Sequence, residues 1–215
     1  MSNVLSISDS LRRIRTWAEN HAPAVTFHPP APPEALENFR EKSGLPLPGS
    51  LRCLLSLADG ETRRSAGMIG NWRMMPVAEI QAAWGLMTKI NQKGAFSGLE
   101  PKPSPYIHRE WWQSAWIPFV SSDTGDYFCL DTNPPDPHRY GQVILFLHDK
   151  PERYLIAASL GAWLDRIWRD LASGRYQYNP EEGFNSEAFM WSALEGKHLF
   201  DDIGGTLVVK QVNDK

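Results

Sequence analysis

The densest run of groups able to do chemistry is Ser121-Ser122-Asp123-Thr124-Gly125-Asp126, which sets two carboxylates among three hydroxyls. On one tight turn these groups could grip a cation or a basic side chain through charge-assisted hydrogen bonds. The plainer reading, and the one the residue types favour, is a strand-entry turn. Asp and Ser side chains bond their own backbone there, and Gly125 supplies a conformation that other residues resist. Asp131, ahead of Thr-Asn-Pro-Pro, also reads as a turn residue.

Catalytic and metal signatures are missing from the sequence. The six histidines (His21, His28, His108, His138, His148 and His198) form no HExxH and no close pair that would set two imidazoles on one ion, so no metal site is expected. His148-Asp149 could act as a base with its orienting carboxylate, but no nucleophile can be assigned beside them, and polar residues at a strand end are the commoner explanation. Ser121 and Ser122 lack a GxSxG elbow, and neither GxxxxGK[ST] nor GxGxxG occurs. No catalytic residue and no cofactor are expected.

Trp111, Trp112 and Trp116 offer a different chemistry. Three such rings within six residues cannot all face inward from one strand, and Trp is enriched at binding hot spots. Trp116 adjoins the apolar run Ile117 to Val120, which leaves Trp111 and Trp112 as candidate contact rings, with Arg109, Glu110, Asp123 and Asp126 as a polar border. The expected partner-binding set is therefore Trp111, Trp112, Asp123 and Asp126. The competing reading is an irregular approach to a sheet that buries two of the rings.

The elements that must position these residues follow from periodicity. Leu11, Ile14 and Trp17 fall on one face of a first helix after Ser8, and Pro33 opens a second that carries Leu36 and Phe39 and closes at Gly44. A third helix runs from Pro48 through Leu51, Leu54 and Leu55 to an Asp59-Gly60 turn. MIGNWRMM has strand or hairpin content, and VAEIQAAWGLMTKI returns to helical spacing. Between 94 and 109 three prolines and two glycines break all periodicity, as in a loop or insertion. WIPFV, YFCL and VILFL, separated by turn clusters, give sequential antiparallel strands, and YLIAAS adds another. SLGAWLDRIWRDLASG is an amphipathic helix ended by Gly174 that packs across the sheet. FNSEAFMWSALEG is expected as a short helix and TLVVKQV as a final strand.

Composition bounds the partner. With 22 basic against 25 acidic residues and a net charge of −3, the chain has no positive field for nucleic-acid phosphates or an anionic membrane. The beginning carries no basic segment followed by an apolar run, and no stretch of about 18 apolar residues occurs, so a cytoplasmic protein is expected. Cys53 and Cys129 lie far apart in apolar segments and suggest no disulfide.

Five blocks, in order, resemble the SMI1/KNR4 (SUKH) family: RIRTWAENHAP, LPLPGSLRCLLSLADG, WIPFVSSDTGDYFCLDTNP, GQVILFLHD and SLGAWLDRIWRDL. The most specific is Ile117-Pro118, a Gly- and Asp-bearing turn, then Asp126 to Asp131, downstream of a leucine-rich helix ending in Asp-Gly. The resemblance implies an α+β fold in which a twisted, mainly antiparallel sheet is flanked by helices. It also implies a non-enzymatic protein-binding role. The first expectation is a bacterial immunity protein that neutralises a cognate toxin in a tight complex. The alternative is a regulatory or scaffold protein of the cell-wall-synthesis type that binds a resident protein. The domain is expected over 1–175 with an insertion near 94–109, and 176–215 as a C-terminal extension packing on it.

Overall fold

The structure, a computed structural model, describes residues 4–62, 67–68, 72–174, 176–184 and 188–193. Helix α1 (Ile7–His21) begins where the Ser6 hydroxyl accepts the Asp9 amide, and it buries Leu11, Ile14 and Ala18. Trp17, expected on the same face, sits at its margin and stacks on His21, ring centres 4.7 Å apart. Helix α2 (Pro33–Ser43) has Pro33 in its first turn and ends on left-handed Gly44. Helix α3 (Gly49–Leu57) buries Leu51, Leu54 and Leu55. None of the helices among the described residues is long and apolar enough to cross a membrane.

After α3 the chain turns at Asp59-Gly60 and crosses the start of α4 (Val77–Gln92). The Asp59 carboxylate accepts the Val77 amide at 2.7 Å, so a residue 18 positions upstream caps α4. Gly60 has φ 72°, and a β-carbon there would lie 2.5 Å from the Met75 carbonyl carbon, so only glycine fits this crossing. Among the described residues of MIGNWRMM, Arg73–Met74 form the strand β1, and residues 69–71 lie outside the described part.

The main sheet adds β2 (Trp116–Ser121), β3 (Tyr127–Asp131), β4 (Gln142–Phe146) and β5 (Arg153–Ala157), in the order β1-β2-β3-β4-β5 with every pair antiparallel. Helix α5 (Leu160–Ala172), capped by Ser159, packs against α1 and lays Trp163 edge-on against Phe119 at 5.2 Å. With a five-stranded antiparallel main sheet and five α-helices among the described residues, the expected α+β arrangement stands.

Both faces of this sheet are covered. Phe128, Leu130, Val143 and Leu145 face the core built with α1, α3 and α5, while Cys129, Ile144 and Phe146 join Met87, Ile107, Trp112 and Trp116 in a second cluster. Segment 94–109, expected as a loop or insertion, is irregular, and with the residues that follow it to 115 it lies as a strap across the second face. It is tied there by side chains that bond its main chain. Gln142 Nε2 donates to the Tyr106 carbonyl at 2.7 Å, Arg153 Nη2 to Trp111 at 2.6 Å, and Trp84 Nε1 to Ser114 at 2.7 Å.

Beyond α5, β6 (Tyr176–Phe184) and β7 (Ala188–Ala193) pair as a separate two-stranded antiparallel sheet. The short helix expected from FNSEAFMWSALEG is thereby corrected: cross-strand pairing overrides the modest helical preference of Glu, Ala and Met. TLVVKQV lies outside the described residues.

Candidate functional site

The β2–β3 turn is built by its own side chains. The Asp123 amide donates to Ser121 Oγ at 2.9 Å, the Thr124 amide to Ser122 Oγ at 3.3 Å, and the two hydroxyls of Ser122 and Thr124 meet at 2.6 Å. Asp123 takes φ 61°, a left-handed conformation that aspartate tolerates better than most residues, and Gly125 follows at φ 101°. The expected structural role of the run is thus present. What the turn then does is aim the Asp123 carboxylate, 65% exposed, outward beside α4.

Arg73 holds that arrangement from below. Antiparallel pairing sets Arg73 opposite Ser121, and its side chain is only 4% exposed. Its Nη2 donates to Glu79 Oε2 in the first turn of α4 at 2.7 Å and reaches Asp123 Oδ1 at 3.4 Å, while Nη1 reaches the Glu61 carbonyl at 3.4 Å. An open cleft of about 220 Å³ lies above, between α4 and the turn. Met75, Ala82, Ala83 and Tyr127 line it together with Glu79, Asp123, Ser121 and Gly125.

Beneath Arg73 lies a buried acid. Glu61, 1% exposed, accepts the Met68 amide at 2.8 Å and the Met74 amide at 2.9 Å, and so ties both ends of the 68–74 stretch. Burial pushes its carboxyl up to about 8, against the pull of those two amides and of Arg73.

The other expected residues divide. Asp126 Oδ1 accepts the His148 amide at 2.8 Å and lies 2.7 Å from His148 Nδ1, so the partner of His148 is Asp126 and not the adjacent Asp149. Ligand atoms of Asp126, His148 and Asp149 fall within 4.8 Å of one another, and the pair fastens the turn to the end of β4. Asp126 is 17% exposed and engaged, which leaves Asp123 as the outward carboxylate of the two. Trp111 is half-buried, with the Arg153 guanidinium 4.9 Å from its ring centre. Trp112 requires a correction: at 1% exposure, edge-on to Trp116 at 5.9 Å and to Phe146 at 5.2 Å, it is a core ring and presents nothing to a partner. Trp116 is fully buried as well, so two of the three rings do turn inward.

Sequence reasoning missed Arg73, Glu79 and Glu61. A charged residue inside the apolar MIGNWRMM run was the one available signal, since a buried Arg demands acidic partners. Nothing local distinguishes Glu61 from an exposed glutamate after a turn.

The family model described as "SMI1 / KNR4 family (SUKH-1)" matches residues 30–166, more than half of the chain. "Cell wall biosynthesis/cell cycle regulator smi1" of Schizosaccharomyces pombe is 24% identical over 213 residues, covering 88% of this chain and 42% of that protein. "Glucan synthesis regulatory protein" of Neurospora crassa is 24% identical, covering 79% and 39%. "Cell wall assembly regulator SMI1" of Saccharomyces cerevisiae is 20% identical, covering 77% and 40%. The chain therefore spans about two fifths of the length of these relatives.

Proposed function

This chain belongs to the SMI1/KNR4 (SUKH-1) family, and on that premise we propose that it is a regulatory or scaffold module that binds a resident cellular protein without catalysing a reaction. The observation that carries the reading is the match over residues 30–166 combined with relatives that are named as regulators of wall and glucan synthesis. Those names favour a resident partner over the toxin of the immunity reading. The site's chemistry agrees: the hydroxyls of Ser122 and Thr124 bond each other, and the one histidine at the turn is paired to Asp126. These contacts fix a surface in shape and charge, which suits recognition.

The proposed contact surface is the α4 and β2–β3 turn region, with Asp123 at its centre, Asp126 as its anchor and Trp111 at the strap's margin. Residues 1–175 form the binding domain in this reading and 176–215 an extension to it. The test is affinity capture of the tagged chain from its own organism's lysate, with stoichiometric partners identified by mass spectrometry. A resident enzyme or envelope protein, lost on Asp123→Lys, is the expected result. A partner that ends in a toxin domain would restore the immunity reading, and capture of no protein at all would overturn both.

A further inference from the structure

Resting on the reading of this chain as a protein-binding module, we infer that the ridge Pro29-Pro30-Ala31-Pro32-Pro33 is a second contact surface, which docks into an aromatic-lined groove of the partner. The segment is a polyproline II strip by its own chemistry. Each proline ring fixes φ at about −65°, and His28, Pro29, Ala31 and Pro32 each precede a proline, which holds them to an extended ψ. Pro32 has φ −60° and ψ 138°, as this conformation requires. Three residues per turn then decide which side chains face out. Ala31 turns inward at 6% exposure, while Pro29, Pro30, Pro32 and Pro33 are all exposed and form two pairs three residues apart. The body of the protein holds the strip in place. The His28 amide donates to the Gly60 carbonyl at 3.0 Å, the Asp59 amide to the Pro29 carbonyl at 3.0 Å, and the Ala31 amide to the Leu55 carbonyl at 2.9 Å. The ridge is thus ordered before a partner arrives, which lowers the entropy cost of binding.

Chemistry selects the kind of partner. Four of the five residues carry no N–H, and Ala31 points its own at Leu55, so the ridge cannot pair with an added β-strand, which needs donors as well as acceptors. It holds no charge with which to grip a phosphate or a basic side chain. What it offers is proline rings in two rows, with main-chain carbonyls between them. A groove of Trp and Tyr side chains matches both: their flat faces pack on proline, and their indole N–H and phenol O–H groups bring the missing donors. Glu34 follows directly, exposed in the first turn of α2, so the groove's rim is basic at that end. Stiffness alone does not explain the ridge, because a connector held by three main-chain bonds would be as well fixed with polar residues turned outward.

The test is an NMR titration of the full chain with a panel of purified SH3, WW and EVH1 domains, each of which carries such a groove. At least one is expected to bind saturably, with shifts concentrated in the amides of His28, Ala31 and Glu34, and to bind the double variant Pro29→Ala/Pro30→Ala about tenfold more weakly. Both changes lie at exposed positions ahead of α2, and an unaltered far-UV circular dichroism spectrum checks the fold. Pro30→Ala alone, the milder change, keeps the measurement decisive if the double variant unfolds. Binding by no member of the panel, or shifts confined to the 121–126 turn, overturns the inference. Capture experiments separate this failure from failure of the broader reading. A partner retained equally by the double variant and by the unaltered chain sinks the ridge but keeps the binding module, whereas no retained partner sinks the module itself.

Discussion

The two faces of one sheet are covered by different means. On the first, α1, α3 and α5 bring apolar stripes onto Phe128, Leu130, Val143 and Leu145, and Trp163 packs edge-on to Phe119 of β2 and tilted against Phe128 of β3. On the second, an irregular strap brings Trp112 and Ile107 onto Cys129, Ile144 and Phe146, and the sheet answers with buried polar groups. Asp131 and Gln142, opposite each other on β3 and β4, bond at 3.0 Å, and Gln142 continues to the strap. Arg153 is 6% exposed and is held by the carbonyls of Lys150, Glu152 and Trp111, with its guanidinium 4.4 Å from the Phe146 ring centre. A helix satisfies its own main chain, so an apolar surface can cover it. A strap cannot, so side chains beneath it must bond its carbonyls.

The difference has thermodynamic consequences. Trp163→Ala should cost about 3–5 kcal/mol of global stability, because helices fixed at both ends cannot close over the gap. Chemical denaturation followed by far-UV circular dichroism measures this, and a loss below about 1 kcal/mol would mean that the helical face is not the main core. Trp112→Ala removes a ring of equal size, but the strap can partly settle or lift, so a smaller loss of about 2–3 kcal/mol is expected. Protease cleavage within 94–110 should accelerate at the same time. Equal global losses with no change in cleavage would show that both faces unfold as one unit, and the contrast would be gone.

The smallest expected effect separates the buried charges by pH. The folded-state pKa of Glu61, about 8, lies above its ordinary value of 4.5, so the folded chain holds a proton that the unfolded chain has released. Its contribution to stability is full below about 4.5 and is lost as pH rises toward 8, with a slope of up to about 1.4 kcal/mol per pH unit. Asp131 on the strap face is raised in the same sense by burial, from an ordinary value of 3.8, and Arg153, lowered by burial to about 10, keeps its charge across this window. Denaturant titrations at several pH values should therefore show a decline that Glu61→Gln flattens above pH 5. A decline unchanged in that variant would assign the titration to the strap face instead. At low pH Glu61→Gln should be less stable than the parent, since its amide nitrogen cannot accept the second backbone N–H.

What was legible in the chain follows the same division. The helices, the strands WIPFV, YFCL and VILFL, and the Gly44 and Gly174 stops lie in the described structure close to where periodicity puts them. Each of these depends on neighbours within a few residues. The turn 121–126 was legible for that reason too. The strap was legible only as an absence of pattern, and its path over the sheet was not.

The sequence by itself determined the five α-helices and the strands β2 to β5, the ordered blocks that mark the family, and the conformation of the Asp-rich turn, since short-range hydrogen bonding and side-chain spacing suffice for all three. Only the tertiary structure decided that Trp112 is core, that Glu61 is a buried acid, and that Arg73, Glu79 and Asp123 share one cleft. Burial and charge pairing of these residues depend on contacts between positions up to 50 apart, such as Arg73 with Asp123, and on which elements happen to cover them, neither of which any local pattern encodes.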